Sequence, residues 1–330
     1  MFLLLCFYLF SARADITDTP IRSGVPWYDT DGNRIYAGGL GMYHDKDGTG
    51  LYYIVGEGQK SNPDLSACFN LYSSPDWAKW TLEGCVLRNQ DVVAPGPKPT
   101  MWRIERPKIL RCPGTGKFIM WFHCDTPDFS IQSVGVLTSN NITGPYTFAS
   151  PCFQPDGLKS YDMGTFVDGA TSSPYLVRSV ENAFAGISAM NRECSNVTGI
   201  VSKGPQMEGL AIMRDSNGTL HMAGSHLTGW APNPAQFVTT QGSTLNGAVW
   251  TNNYNPSGSP TTFNTQSTFI FPYVHADGHT TYVWMADRWN DAGPGGLDNS
   301  TYVWLPLAPP APGKTQWTLT WYDEWKLKDF

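Results

Sequence analysis

The 330-residue chain carries 28 Asp and Glu against 22 Lys and Arg, a formal charge of −6 with no basic run, so it offers no electrostatic footprint for nucleic acid. Its 13 Trp, 15 Tyr and 16 Phe, with 33 Gly and 25 Pro, suit many short strands joined by tight turns: aromatic side chains pack on pleated surfaces, and Gly and Pro accept turn geometry. No long helical period and no Ser/Gly/Pro linker breaks the pattern, so a single all-β domain is expected.

The chain opens on Phe2 to Phe10, almost wholly apolar, followed by Ser11-Ala12-Arg13-Ala14. This small-x-small ending predicts a secretory signal peptide over residues 1–14, leaving 15–330 as the domain. The apolar run is shorter than the roughly 20 residues a membrane-spanning helix needs, and no other segment suggests a span, so no membrane association is expected.

Beyond it one unit recurs, a short apolar strand, a Gly/Asp-rich turn and an aromatic or β-branched strand. The copies are Leu40 to Tyr43 with Leu51 to Val55, Pro107 to Leu110 with Phe118 to Phe122, Gly164 to Val167 with Pro174 to Val177, Leu210 to Met213 with Leu220 to Ala223, and Thr268 to Phe271 with Tyr282 to Met285. A second, weaker hairpin follows most of them, as in Phe69 to Ser74 with Trp77 to Trp80 and Gly135 to Thr138 with Gly144 to Phe148. Two hairpins make a four-stranded blade, and five repeats predict a five-bladed β-propeller in preference to a β-sandwich, which has no need of this repeated unit. The tail from Thr315 to Trp325 reads as a last strand closing the ring.

In a propeller the first strand of each blade lines the central channel, so equivalent positions on those strands share one pocket. Those positions hold Glu105, Asp162, Glu208 and Gln266 in blades two to five. Acid groups converging on one pocket suit glycosidic hydrolysis, which needs a proton donor for the leaving oxygen and a group to activate water. Glu208, in Pro205-Gln206-Met207-Glu208-Gly209-Leu210, has apolar neighbours able to desolvate it and is the expected donor. Asp162 is expected to orient Glu208 or to bind a hydroxyl. Trp230, in a Pro- and Gly-rich loop, is expected to stack on sugar, whereas Trp121 and Trp284 in mid-strand are expected to pack. The histidines have no metal-ligand spacing and no GxSxG elbow occurs, so neither a catalytic metal nor a cofactor is expected.

Without Cys6 of the leader, six cysteines remain, an even number suited to an oxidising compartment. The pairs expected are Cys68 with Cys85, Cys112 with Cys124 across a hairpin, and Cys152 with Cys194. Glycosylation sequons at Asn141, Asn196, Asn217 and Asn299 fit the same secretory route.

Several motifs in order, Glu105-Arg106-Pro107-Lys108, Ser160-Tyr161-Asp162-Met163, Thr228-Gly229-Trp230-Ala231-Pro232-Asn233-Pro234, Gln266-Ser267, Asp287-Arg288-Trp289-Asn290 and Tyr302 to Leu307, resemble the exo-β-1,3-galactanases of glycoside hydrolase family 43. The resemblance spans roughly Arg34 to Leu307. It implies a five-bladed propeller that removes galactose, with inversion, from the non-reducing end of the β-1,3-galactan found in arabinogalactan, the polysaccharide being the expected partner. It implies Glu208 as acid and Gln266, in its imidic tautomer, as base, with Glu57, Glu105 and Asp162 holding the sugar and Thr228 and Trp230 also at the substrate. Glu105 is the alternative activator of water. The first-blade Asp that serves as base elsewhere in the family is missing from Ile35 to Gly41 here, as it is in the galactanase branch. Two departures, Gly38 where the branch usually has His and Tyr161 where it has a basic residue, bear on which sugar is accepted. The competing expectations are an α-L-arabinofuranosidase or β-xylosidase on the same fold, and a non-catalytic carbohydrate-binding propeller.

Overall fold

A computed structural model describes residues 16–330 apart from 62–64, 97 and 100, so the expected leader over 1–14 lies outside the described residues. Five four-stranded antiparallel sheets follow one another along the chain, each built from consecutive strands in meander order except for a small insertion in the first. Blade one comprises Gly38–His44, Tyr52–Glu57, Cys68–Ser74 and Thr81–Arg88, and blade two Arg103–Arg111, Phe118–Asp125, Ser133–Ser139 and Thr147–Phe153. Blade three comprises Ser160–Asp168, Ser173–Val180, Phe184–Met190 and Val197–Lys203, and blade four Glu208–Arg214, Leu220–Ser225, Ala235–Thr240 and Trp250–Tyr254. Blade five is Gln266–Val274, Thr280–Arg288, Thr301–Ala308 and Thr318–Leu319.

The five first strands are neighbours around a closed ring, which is the expected five-bladed propeller. They approach so closely that a Cβ added at Gly164 would stand 2.5 Å from the Leu210 carbonyl oxygen of the next blade. Large side chains fill the wedges between blades; Trp77, Tyr52, Phe271 and Trp304 meet edge to face where blades one and five join. Trp121 and Trp284 are fully buried in mid-strand, as expected of packing residues.

Two features differ from the sequence-based expectation. Trp77 to Trp80 is a turn, not a strand; Ser74 and Asp76 side chains bind its backbone N–H groups and fold both Trp rings inward, and the outer strand begins at Thr81. The tail does supply a last strand, Thr318–Leu319 at the outer edge of blade five, and its Glu324–Trp325 pairs with Ile21–Arg22. Of the disulfides, Cys68–Cys85 is as expected, but the others are Cys112–Cys194 and Cys124–Cys152. Register explains the correction: Cys124 lies opposite Ile104, at the far end of the hairpin from Cys112, so those two are out of reach. The observed bridges join blade two to blade three and the second strand of blade two to its own outer strand.

Candidate active site

Every blade carries a register shift between its first two strands at the same end, between Gly38 and Gly41, Glu105 and Lys108, Ser160 and Met163, Glu208 and Ala211, and Ser267 and Phe269. A bulge bends its strand and re-aims a side chain. Here it turns Glu105, Asp162, Glu208 and Gln266 toward the axis, where all four line one cavity of about 500 Å³. Blade one has Gly38 at the matching place and contributes no side chain there. Positive φ at Gly39 (61°), Arg106 (56°) and Gly209 (64°) completes three of the bulges, and Arg106 is held there without a glycine's freedom.

The neighbouring blade then holds each of these bulges. Asp287 Oδ2 accepts the Gly39 N–H at 2.7 Å, Glu57 Oε1 that of Arg106 at 3.1 Å, and Asp162 Oδ2 that of Gly209 at 3.0 Å. The site carboxylates are therefore also the latches between blades.

Arg106, 5% exposed, links the centre: Nη2 pairs with Asp162 Oδ2 at 2.9 Å and donates to Gln266 Oε1, while Nη1 donates to the Ser267 carbonyl at 3.1 Å. With its oxygen on a group that can only donate, the Gln266 amide has one orientation, and its Nε2 donates to Glu208 Oε1 at 3.0 Å and Ser225 Oγ at 2.8 Å. Burial, helped by the Asp162 charge, pushes the Glu208 carboxyl up to about 8 against the opposing pull of Arg106 and the Gln266 hydrogen bond. Glu208 is thus a protonated acid at neutral pH.

Glu105 has the opposite character. Burial raises its pKa, but the hydrogen bond and charge of His123 (Nδ1 at 3.1 Å), with Arg103 (Nη1 at 2.9 Å) and Lys60, prevail and hold it well below the usual carboxylate range. Burial would lower His123, but its bonds to Asp125 and Glu105 hold it up at about 9, so the ring is cationic. Both Glu105 oxygens are engaged, and Glu57 pairs with Lys60 on the short strand Lys60–Ser61.

Burial raises Asp287 to about 6, Arg106 and the Gly39 N–H pulling the other way. Lys108, two residues beyond Arg106, is fully buried and donates to the carbonyls of Gly39, Arg106 and Pro107.

Trp230 lines the mouth, edge-on to Trp289 with centroids 4.7 Å apart. Gly38 and Tyr161 are also on the wall. Thr228 is placed differently from the expectation: its hydroxyl donates to the Ala231 carbonyl and accepts from Asn233 Nδ2, each at 2.6 Å, and it does not line the cavity. It shapes the loop that presents Trp230. Sequence reasoning passed over Arg103, Arg106, His123, Lys60, Asp287 and Trp289, all of which line the cavity.

No protein-family model and no curated protein matches the chain in sequence. Solved structures do. An exo-β-1,3-galactanase from Phanerochaete chrysosporium, crystallised with galactose, is 30% identical with a TM-score of 0.81, and the match covers 93% of this chain and 68% of that one. An exo-β-1,3-galactanase from Clostridium thermocellum is 31% identical with a TM-score of 0.82, covering 93% and 66%. A GH43 β-1,3-galactosidase crystallised with galactodeoxynojirimycin is 28% identical with a TM-score of 0.79, covering 93% and 100%.

Proposed function

The chain belongs to glycoside hydrolase family 43, in its exo-β-1,3-galactanase branch, and we propose that it releases galactose from the non-reducing end of β-1,3-galactan with inversion at the anomeric carbon. The observation that carries this reading is the convergence of Glu208, Gln266, Asp162, Glu105 and Glu57 on one cavity, where burial raises the Glu208 carboxyl above its ordinary value.

Glu208 donates its proton to the glycosidic oxygen as the bond from that oxygen to the anomeric carbon breaks. Water attacks the same carbon from the opposite face and gives up a proton. Gln266 can receive it in the imidic tautomer, in which one amide proton has moved from Nε2 to Oε1 and Nε2 carries a lone pair; loss of the Oε1 proton to solvent then restores the amide, with Arg106 still donating to a lone pair of that oxygen. Burial, with the Asp162 charge, raises the Glu208 carboxyl, and Glu57 and Glu105 accept hydroxyls of the terminal sugar while the Trp230 ring covers an apolar face.

One observation weighs against Gln266 as the activator of water, for which Glu105 is the alternative. Gln266 Nε2 stands 3.0 Å from Glu208, whereas inverting acid and base groups lie roughly 6.5–9.5 Å apart to admit sugar and water, so the two must separate as substrate enters. Against Glu105, its oxygens are both bound and its proton affinity is low.

Three disulfides suit action outside the cell, where arabinogalactan side chains would be the polysaccharide partner. Incubation with β-1,3-galactotriose, an aryl α-L-arabinofuranoside and an aryl β-xyloside tests the assignment. Galactose and β-1,3-galactobiose are the expected products, with the two pentosides intact. Pentose release with untouched galactotriose would transfer the chain to the arabinofuranosidase or xylosidase reading, and binding without any product to the non-catalytic one.

A further inference from the structure

Most carboxylate oxygens around the cavity already have partners on the protein. Among the described residues, the Oδ1 atom of Asp287 is the one carboxylate oxygen that is buried and has no hydrogen-bond partner. Asp287 is 2% exposed, its other oxygen is taken by the Gly39 N–H at 2.7 Å, and it lies on the cavity wall. A buried, ionised acceptor without a donor is costly, so such a group points to a ligand that supplies the donor.

The strand beside it brings no side chain to the matching stretch of the wall. Blade one brings Gly38 to the wall where the other four blades bring Glu105, Asp162, Glu208 and Gln266. A methyl at Gly38 would make only ordinary contacts, 3.6 Å to the Glu57 Cβ, so this bare patch is not enforced by crowding from the protein. Gly39 differs, since a Cβ there would stand 2.6 Å from Glu57 Oε1.

We infer that Asp287 is a specificity-determining residue of the terminal subsite, its free Oδ1 accepting a hydrogen bond from one ring hydroxyl of the sugar that Gly38 allows to approach. The inference rests on the galactosidase reading above and deepens it. An ionised carboxylate accepts and cannot donate, so the contact selects a sugar with a hydroxyl at that carbon and rejects one lacking it, which leaves the oxygen buried and unpaired.

The test is a binding series with galactose and its 2-, 3-, 4- and 6-deoxy derivatives, measured by calorimetry on the wild type, Asp287→Asn and Gly38→Ala. Asn keeps a carbonyl oxygen for the Gly39 N–H and turns an amide donor toward the cavity, so the latch between blades survives while the acceptor is lost. For wild type, removal of one hydroxyl is expected to weaken binding about tenfold or more, as loss of a hydrogen bond to a charged group does. In Asp287→Asn galactose itself weakens by a similar factor and the penalty for that same deoxy sugar disappears, while the other three penalties stay. Gly38→Ala, whose added methyl narrows the approach, reduces the same penalty without touching Asp287.

If all four penalties are unchanged in Asp287→Asn, even with overall affinity reduced, Asp287 serves only as a latch and the inference is overturned. Should Asp287→Asn fold poorly, four unchanged penalties in Gly38→Ala overturn it instead. A wild-type protein that binds none of the five sugars but binds arabinose or xylose overturns the galactosidase reading and this inference with it.

Discussion

Glu208→Gln is expected to lower kcat on β-1,3-galactan by roughly 10²–10⁴-fold, the range a positioned general acid contributes, with KM little changed because Gln retains the size of Glu. The loss should shrink on an aryl β-galactoside with a strongly acidic phenol as leaving group, since that phenolate departs without a proton. For the wild type the carboxyl must be protonated to act, so kcat falls as pH rises through about 8, and this limb is absent in the variant. The same shift has a stability consequence. A carboxyl whose folded pKa is raised to about 8 binds its proton more tightly folded than unfolded, so its contribution is full below the unfolded value near 4 and is lost as pH rises through 8. Glu208→Gln, neutral at every pH, should therefore melt at a higher temperature than wild type at pH 9 and show little gain at pH 5. Equal rate losses on good and poor leaving groups would remove Glu208 from the role of acid.

Gln266→Ala should produce the second large effect, a fall in kcat of roughly 10²–10⁴-fold, because it removes the proton acceptor. It also deletes the Nε2 donor to Glu208 Oε1, one of the forces lowering the Glu208 pKa, so the alkaline limb of the residual activity moves upward. Glu105→Gln should act mainly on KM, since its carboxylate is held by Arg103 and His123 and is expected to grip sugar. Nearly full kcat in Gln266→Ala together with a large loss in Glu105→Gln would exchange the two roles.

The inner hairpins were legible because each strand is an apolar run closed by a Gly- or Asp-rich turn, a pattern that local chemistry imposes. The third strands were legible where Phe69 to Ser74 and Gly135 to Thr138 were expected, but the outermost strand of blade one was not. Trp77 and Trp80 have strand-like composition, yet Ser74 and Asp76 fold them into a turn, and nothing in residue type distinguishes a ring packed between blades from one on a pleat. Glu105, Asp162, Glu208 and Gln266 were legible by equivalence across the repeat. Arg106 was not legible as a site residue, because its role follows from a left-handed backbone position, which sequence alone does not specify. Four further site residues lie at the ends of the second strands, where Glu57, His123, Ser225 and Asp287 stand opposite Gly38, Glu105, Glu208 and Gln266. Applying the same equivalence one strand outward would have found this second polar set. Disulfide partners required knowing that Cys112 and Cys194 face each other from adjacent blades, a relation set by the ring and not by spacing.

The most direct test of the mechanism is to follow β-1,3-galactotriose by proton NMR in the first minutes after the enzyme is added, before mutarotation mixes the anomers. The first products are expected to be α-galactose and β-1,3-galactobiose, as direct attack by water on a β-linked terminal sugar requires. β-Galactose appearing first would show a double displacement, and release of galactotriose fragments from the reducing end would show a different mode of attack; either contradicts the exo-acting, inverting mechanism built here on Glu208 and Gln266.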